Sequence, residues 1–156
     1  NQGGGVVLTL IHEIDYLYWL FEEIDVIAAT GGNLTDLEMD VEDTALMLMR
    51  SKNNVPIQLR MDYWRSPPVR TLNIVGKNGE INWDYHKMSL DLHKRNEDSV
   101  TFKLDQNWDR NNLFIDLMDD FIMSIKNRTT TLSPLKDGVA VLKIADEVKN
   151  MISNQS

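Results

Sequence analysis

The chain reads as an α+β protein: a mostly antiparallel open sheet of about six or seven strands, helices packed on one face, and the other face in an oligomer contact. Three observations lead there. A helical stripe opens the chain and two more close it. The middle is a run of short strands. Strands do not alternate with helices, as a parallel βαβ sheet would require. With 156 residues, 42% hydrophobic and 26% charged, the chain has the composition of one globular domain, which excludes a disordered or low-complexity protein.

The first helix is expected from Leu10 to Glu22, because Ile14, Leu17, Tyr18 and Phe21 recur at i, i+3, i+4 and i+7. Gly3-Gly4-Gly5 ahead of it gives a flexible or closely packed approach. Val26 to Ala29 is a short strand, closed by the turn signal Gly31-Gly32-Asn33. Thr44 to Arg50 and Ile57 to Trp64 follow as longer strands. In the second, Ile57, Leu59, Met61 and Tyr63 alternate with Gln58, Arg60 and Asp62, the pattern of a sheet with one buried face. Val69 to Val75, Ile81 to Tyr85, Ser89 to Leu92 and Val100 to Leu104 complete a meander, with Asn78-Gly79 as its best hairpin signal. Phe114, Leu117, Met118, Phe121 and Ile125 then mark a helix from about Arg110 to Lys126. Ser133-Pro134 is an N-cap and N1 pair for the last helix, whose stripe is Val141, Ile144, Ala145, Val148 and Ile152. Leu46-Met47-Leu48-Met49 is apolar on both faces, so cover is expected on both sides, the second from another copy of the chain.

Charge and composition narrow the function. Lys plus Arg is 16 against 24 Asp plus Glu, a net charge of −8 that repels phosphate backbones, so no nucleic-acid partner is expected. No apolar run approaches the roughly 18 residues of a membrane span, so no membrane partner is expected either. Cysteine is absent, which excludes disulfides, Cys-zinc sites and thiol nucleophiles and suits a cytoplasmic protein. The histidines His12, His86 and His93 show no metal-ligand spacing, so no metal is expected. The eight glycines contain neither a P-loop nor a G-x-G-x-x-G fingerprint.

His12 carries the most chemistry. Asp15 at i+3 and Tyr16 at i+4 share its side of the first helix, and a histidine beside a carboxylate is suited to proton transfer near neutral pH. An ordinary His-Asp pair at a helix start has the same spacing. Trp64-Arg65-Ser66-Pro67-Pro68-Val69-Arg70 joins two strands. Its aromatic ring, guanidinium groups and prolines make either a wall for a sugar or carboxylate, or a rigid surface connection.

The segment Gly3-Gly4-Gly5-Val6-Val7-Leu8-Thr9-Leu10-Ile11-His12-Glu13-Ile14-Asp15-Tyr16-Leu17-Tyr18-Trp19-Leu20-Phe21 resembles the opening of the C-terminal domain of Gfo/Idh/MocA oxidoreductases. Val41-Glu42-Asp43-Thr44-Ala45, then Asp62 to Gly76, and the tail around Asp137-Gly138 resemble that family in the same order. The resemblance implies that residues 1–156 are a single substrate-binding and oligomerisation domain, a C-terminal fragment without its N-terminal Rossmann domain. It implies NAD or NADP bound mainly by that absent domain, a sugar, sugar-nucleotide or polyol substrate, and a homo-oligomer formed through the sheet. It makes His12 the catalytic histidine, with Asp15, Tyr63, Trp64, Arg65 and Arg70 as substrate-binding candidates. Leu8 and Thr9 stand where many relatives carry an Asp. The alternative is a non-catalytic scaffold or ligand-sensing and dimerisation module on the same fold.

Overall fold

A computed structural model describes residues 4–105 and 107–154, so Gly3 of the glycine run lies outside the described residues. The described residues form two compact units. One combines the chain up to Trp64 with the chain from Thr130 onward, and the other is Arg65–Thr129.

The first unit begins with a four-residue helix, α1 (Val6–Thr9), and then α2 (His12–Phe21). The helix expected from Leu10 to Glu22 is thus present as α2, beginning two residues later, with the short α1 ahead of it as an element the periodicity did not indicate; Ile14 and Leu17 form the buried apolar contacts of α2. Three antiparallel strands follow: β1 (Ile24–Gly32), β2 (Thr44–Ser51) and β3 (Pro56–Asp62). Met47 and Met49 on β2, flanked by Ile57, Leu59 and Met61 on β3, supply the buried face. Strand β1 reaches further than the sequence indicates. Its register shifts between Val26 and Ala28, leaving Ile27 exposed and returning Ala29 to the core. The Gly31-Gly32 turn expected there is instead strand, paired with Ala45 and Thr44. A Cβ on Gly31 would run into the Thr44 carbonyl, so the glycine serves a close backbone approach rather than a turn.

The last helix, α4 (Leu135–Ser153), packs on β1 and α2. The stripe expected of it is buried throughout: Val141, Ile144, Ala145, Val148 and Ile152 are all at most 6% exposed. Its N-cap is Pro134, with extended backbone, rather than Ser133, and no side chain caps it. The opposite face of the three-stranded sheet leaves Ile27 and Leu48 each 53% exposed.

The second unit holds an antiparallel meander of β4 (Thr71–Gly76), β5 (Gly79–Asp84), β6 (Ser89–Lys94) and β7 (Val100–Lys103), followed by α3 (Asn111–Asn127). The seven expected strands are therefore present, and the α+β class holds, but they lie in two open sheets rather than one. The break falls at Pro67-Pro68. Proline has no N–H to donate, so two in succession cannot extend a ladder. Within this sheet Leu72, Ile74, Ile81, Trp83, Leu90 and Leu92 alternate onto one face in register. The β4–β5 hairpin is confirmed with a different turn. Gly76 pairs with Gly79, so Lys77 and Asn78 are the loop residues, and neither has positive φ.

Candidate functional site

The first unit places a polar cluster at the start of α2. His12 is the first residue of that helix, and its imidazole is 47% exposed. Its Nε2 lies 3.0 Å from Oε1 of Glu13, whose side chain is only 11% exposed. The Tyr16 hydroxyl donates to the other Glu13 oxygen, Oε2, at 2.7 Å. A carboxylate withdrawn from water thus orients the imidazole on one side and is itself fixed on the other. Nδ1 of His12 is the ring nitrogen turned away from Glu13. A histidine held and exposed this way is able to exchange a proton with a group arriving from solvent.

Asp15, the partner that spacing suggested, does not form this pair. Its side chain is exposed, where ion pairing gains little over hydration. It lines a groove of about 580 Å³ together with Tyr16, Trp19, Glu22, Ser133 and Lys136. Tyr16 therefore belongs to both features, with its hydroxyl on Glu13 and its side chain at the groove. The partner of His12 that spacing missed is Glu13. Neighbours at i and i+1 ordinarily diverge on a helix, and only the arrangement of the first turn brings these two together.

The remaining candidates sit elsewhere. Tyr63 follows β3, half-buried, and donates its backbone N–H to the Asp43 carbonyl at 3.0 Å. Trp64 is 58% exposed at the end of the first unit. Arg65 and Arg70 belong to the second unit. Arg65 is exposed, whereas the Arg70 guanidinium lies 4.8 Å from the Tyr85 ring centroid and 5.5 Å from that of Trp83. Cation–π contact of this kind ties Arg70 to its own sheet.

Glu42 closes on the glycine-rich approach to α1. Gly5 is buried at φ 91 and ψ 161, a region essentially restricted to glycine, and a Cβ there would collide with the Glu42 carboxylate. Glu42 Oε1 accepts the Val7 N–H at 3.4 Å and lies 3.9 Å from Lys149 Nζ. The Val6 N–H also donates to the Glu42 carbonyl at 2.8 Å. The glycine-rich approach is thus closely packed against a resident carboxylate. Gly5→Ala should cost about 1–3 kcal/mol of stability, read as a fall in the urea midpoint with an unchanged m-value. An unshifted midpoint would show that this approach tolerates a side chain.

A dinucleotide does not fit the described residues. Every strand pair is antiparallel, so no βαβ unit is present, and the glycine-rich approach to α1 is filled by Glu42. Among the described residues, no three His, Asp or Glu side chains converge to hold a metal ion. Nor is any described helix long and apolar enough to cross a membrane.

Comparison with known proteins agrees with this architecture. Residues 1–82 match the model of the GFO/IDH/MocA C-terminal domain. No curated protein sequence matches the chain. Among solved structures, the chain is similar to UDP-N-acetylglucosamine 3-dehydrogenase GnnA from Acidithiobacillus ferrooxidans, at 21% identity and a TM-score of 0.78, over 94% of this chain and 46% of that one. It is also similar to an oxidoreductase domain protein from Kribbella flavida, at 13% identity and a TM-score of 0.84, over 99% and 49%. A third is the WlbA dehydrogenase from Bordetella pertussis in complex with NADH and UDP-GlcNAcA, at 16% identity and a TM-score of 0.77, over 98% and 47%. At these identities the likeness is one of fold. The chain spans about half the length of each of these structures.

Proposed function

Since the chain belongs to the GFO/IDH/MocA family through its C-terminal domain, we propose that it is the substrate-binding part of a cytoplasmic NAD(P)-dependent oxidoreductase, inactive without a dinucleotide-binding domain. The substrate class is a sugar, sugar nucleotide or polyol carrying a hydroxyl or keto group. Two fold relatives support that choice: one is a dehydrogenase of UDP-N-acetylglucosamine, and the other is in complex with NADH and UDP-GlcNAcA. The observation that carries the reading is the exposed His12 imidazole held by Glu13 and, through it, by Tyr16.

In this reading Nδ1 of His12 takes the proton of a substrate hydroxyl during oxidation and returns it during reduction. Glu13 positions the ring and balances the charge it gains. The nicotinamide supplies hydride acceptance, which no side chain can provide. Asp15 and Tyr16 hold the distal part of the substrate in their shared groove. The exposed Ile27 and Leu48 support oligomerisation through the outer face of the three-stranded sheet. Sedimentation of the full-length gene product should give more than the monomer mass at micromolar concentration, and a monomer throughout would remove that contact.

The test of the cofactor assignment is a fluorescence titration of NADH and of NADPH into the full-length gene product, with the 156-residue chain as control. Saturable binding to the full-length protein and none to the control is expected. It also decides between the two cofactors. Binding to neither would replace this reading with a non-catalytic scaffold or sensor.

A further inference from the structure

The groove of about 580 Å³ beside α2 lies within the size range of small-ligand sites and continues the helix face that carries His12. At 100° and 1.5 Å per residue, His12, Asp15, Tyr16 and Trp19 fall within an arc of about 100°. Asp15 lies about one turn beyond the histidine and Trp19 about two. Trp19 borders the groove at 77% exposure, so most of its indole is open to a ligand rather than packed in the core. Glu22 ends the helix at φ 58 and ψ −146, a backbone conformation that suits glycine and strains any side chain. A glutamate is kept there at a cost that glycine would not carry, and its side chain is the only gain. Charge sets the character of the groove. Asp15, Glu22, Glu23 and Asp137 line it, against Lys136 and the Lys52 ammonium that pairs with Glu23 at 2.8 Å.

We propose that this groove is a subsite for a sugar carrying a protonated amine, so that the substrate of the reaction proposed above is an amino sugar. The inference rests on that reading and narrows its substrate class. The surplus of carboxylates favours an ammonium and repels a uronate or a pyrophosphate. Among the described residues no three such side chains converge on a metal ion, so the charge suits a larger organic cation. The exposed indole adds what an acidic surface lacks. It offers a flat apolar face to a sugar ring and attracts the ammonium through its π-system. Asp15 and Glu22 accept from the ammonium. Asp15 is about 4.5 Å along the helix from His12, close enough for one sugar to present a hydroxyl to the imidazole and its amine to the carboxylate. Lys136 opposes the amine and limits its affinity.

The experiment is calorimetric titration of the full-length gene product with glucosamine, glucose and glucuronate at neutral pH. Glucosamine should bind about tenfold more tightly than glucose, and glucuronate more weakly than either. Asp15→Asn and Trp19→Ala change exposed side chains and should leave folding intact. The first should bring glucosamine close to the level of glucose, and the second should weaken both sugars. Lys136→Gln should tighten glucosamine by about threefold. Glu22→Gly should weaken glucosamine while raising the melting temperature, a pairing that a purely structural glutamate would not give. Equal binding of glucosamine and glucose, tightest binding of glucuronate, or binding of none of the three overturns the proposal. So does undiminished glucosamine binding in both Asp15→Asn and Glu22→Gly. Nicotinamide binding without amine preference sinks the subsite alone. Amine preference without NADH or NADPH binding keeps the subsite and sinks the dehydrogenase reading.

Discussion

His12→Asn in the full-length enzyme is expected to lower turnover by about 10²–10⁴-fold, the usual contribution of a positioned acid–base group, while cofactor affinity stays within about twofold. Asparagine keeps a polar side chain of similar reach but cannot take up and return a proton. Glu13→Gln separates positioning from proton transfer. Glutamine retains an oxygen for the Tyr16 hydroxyl, which now sits 2.7 Å from Glu13 Oε2, but removes the negative charge 3.0 Å from the imidazole. Its effect should fall on kcat with KM little changed and be smaller than that of His12→Asn, because the base itself remains. Tyr16→Phe should be milder still, since it frees one carboxylate oxygen and leaves the His12–Glu13 contact in place. Reduction of NAD or NADP against a panel of sugars and sugar nucleotides reads all three. Unchanged turnover in His12→Asn removes the histidine from the mechanism and leaves the cluster as an ordinary His–Glu pair at a helix start.

Asp43→Asn is expected to cost about 2–3 kcal/mol of stability, the scale for disrupting hydrogen bonds to a buried charged group. Asp43 is fully buried. Its carboxylate accepts from the Leu34 N–H at 3.2 Å, the Thr35 N–H at 3.0 Å, the Thr35 hydroxyl at 2.6 Å and the Thr44 hydroxyl at 2.9 Å. Each carboxylate oxygen faces one backbone N–H and one hydroxyl, so whichever way an asparagine amide turned, its nitrogen would lie against a backbone N–H that cannot accept. Burial pushes the Asp43 carboxyl up, but the hydroxyls of Thr35 and Thr44 and the N–H groups of Leu34 and Thr35 outweigh it and hold the group below the usual aspartate value. The folded pKa is therefore below the unfolded one. The stabilisation is fully present above about pH 4 and fades as the pH falls through the folded value. Urea midpoints of the wild type and Asp43→Asn should differ most at neutral pH and converge in acid. A gap that stays constant from neutral pH into acid would mean that the charge on Asp43 contributes nothing to stability.

Much of the architecture was readable because burial imposes periodicity. The α4 stripe at Val141, Ile144, Ala145, Val148 and Ile152 is buried as its spacing indicated, and Ile57, Leu59 and Met61 point into the core as strand alternation indicated. Backbone pairing was less visible. Gly31-Gly32 reads equally as a turn or as a strand passing close to its neighbour, and only the approach of Thr44 distinguishes them. Pro67-Pro68 could be seen in the sequence, but its effect, two sheets rather than one, depends on whether β3 and β4 were to be neighbours.

The same division runs through the site. Composition and residue order were enough to establish the fold class, to exclude thiol and disulfide chemistry, and to single out His12 and the family resemblance. The partner of His12 was decided by tertiary structure. Spacing pointed to Asp15, yet an exposed carboxylate gains little from pairing, while Glu13 is withdrawn from water and held by Tyr16. The resident anion at the glycine run was also invisible in sequence, since Glu42 lies 35 residues from Val7 and meets it only when the sheet folds back. Local periodicity reports which side of an element avoids water. Which charged group meets which is a matter of desolvation and long-range contact, and these exist only once the chain has folded.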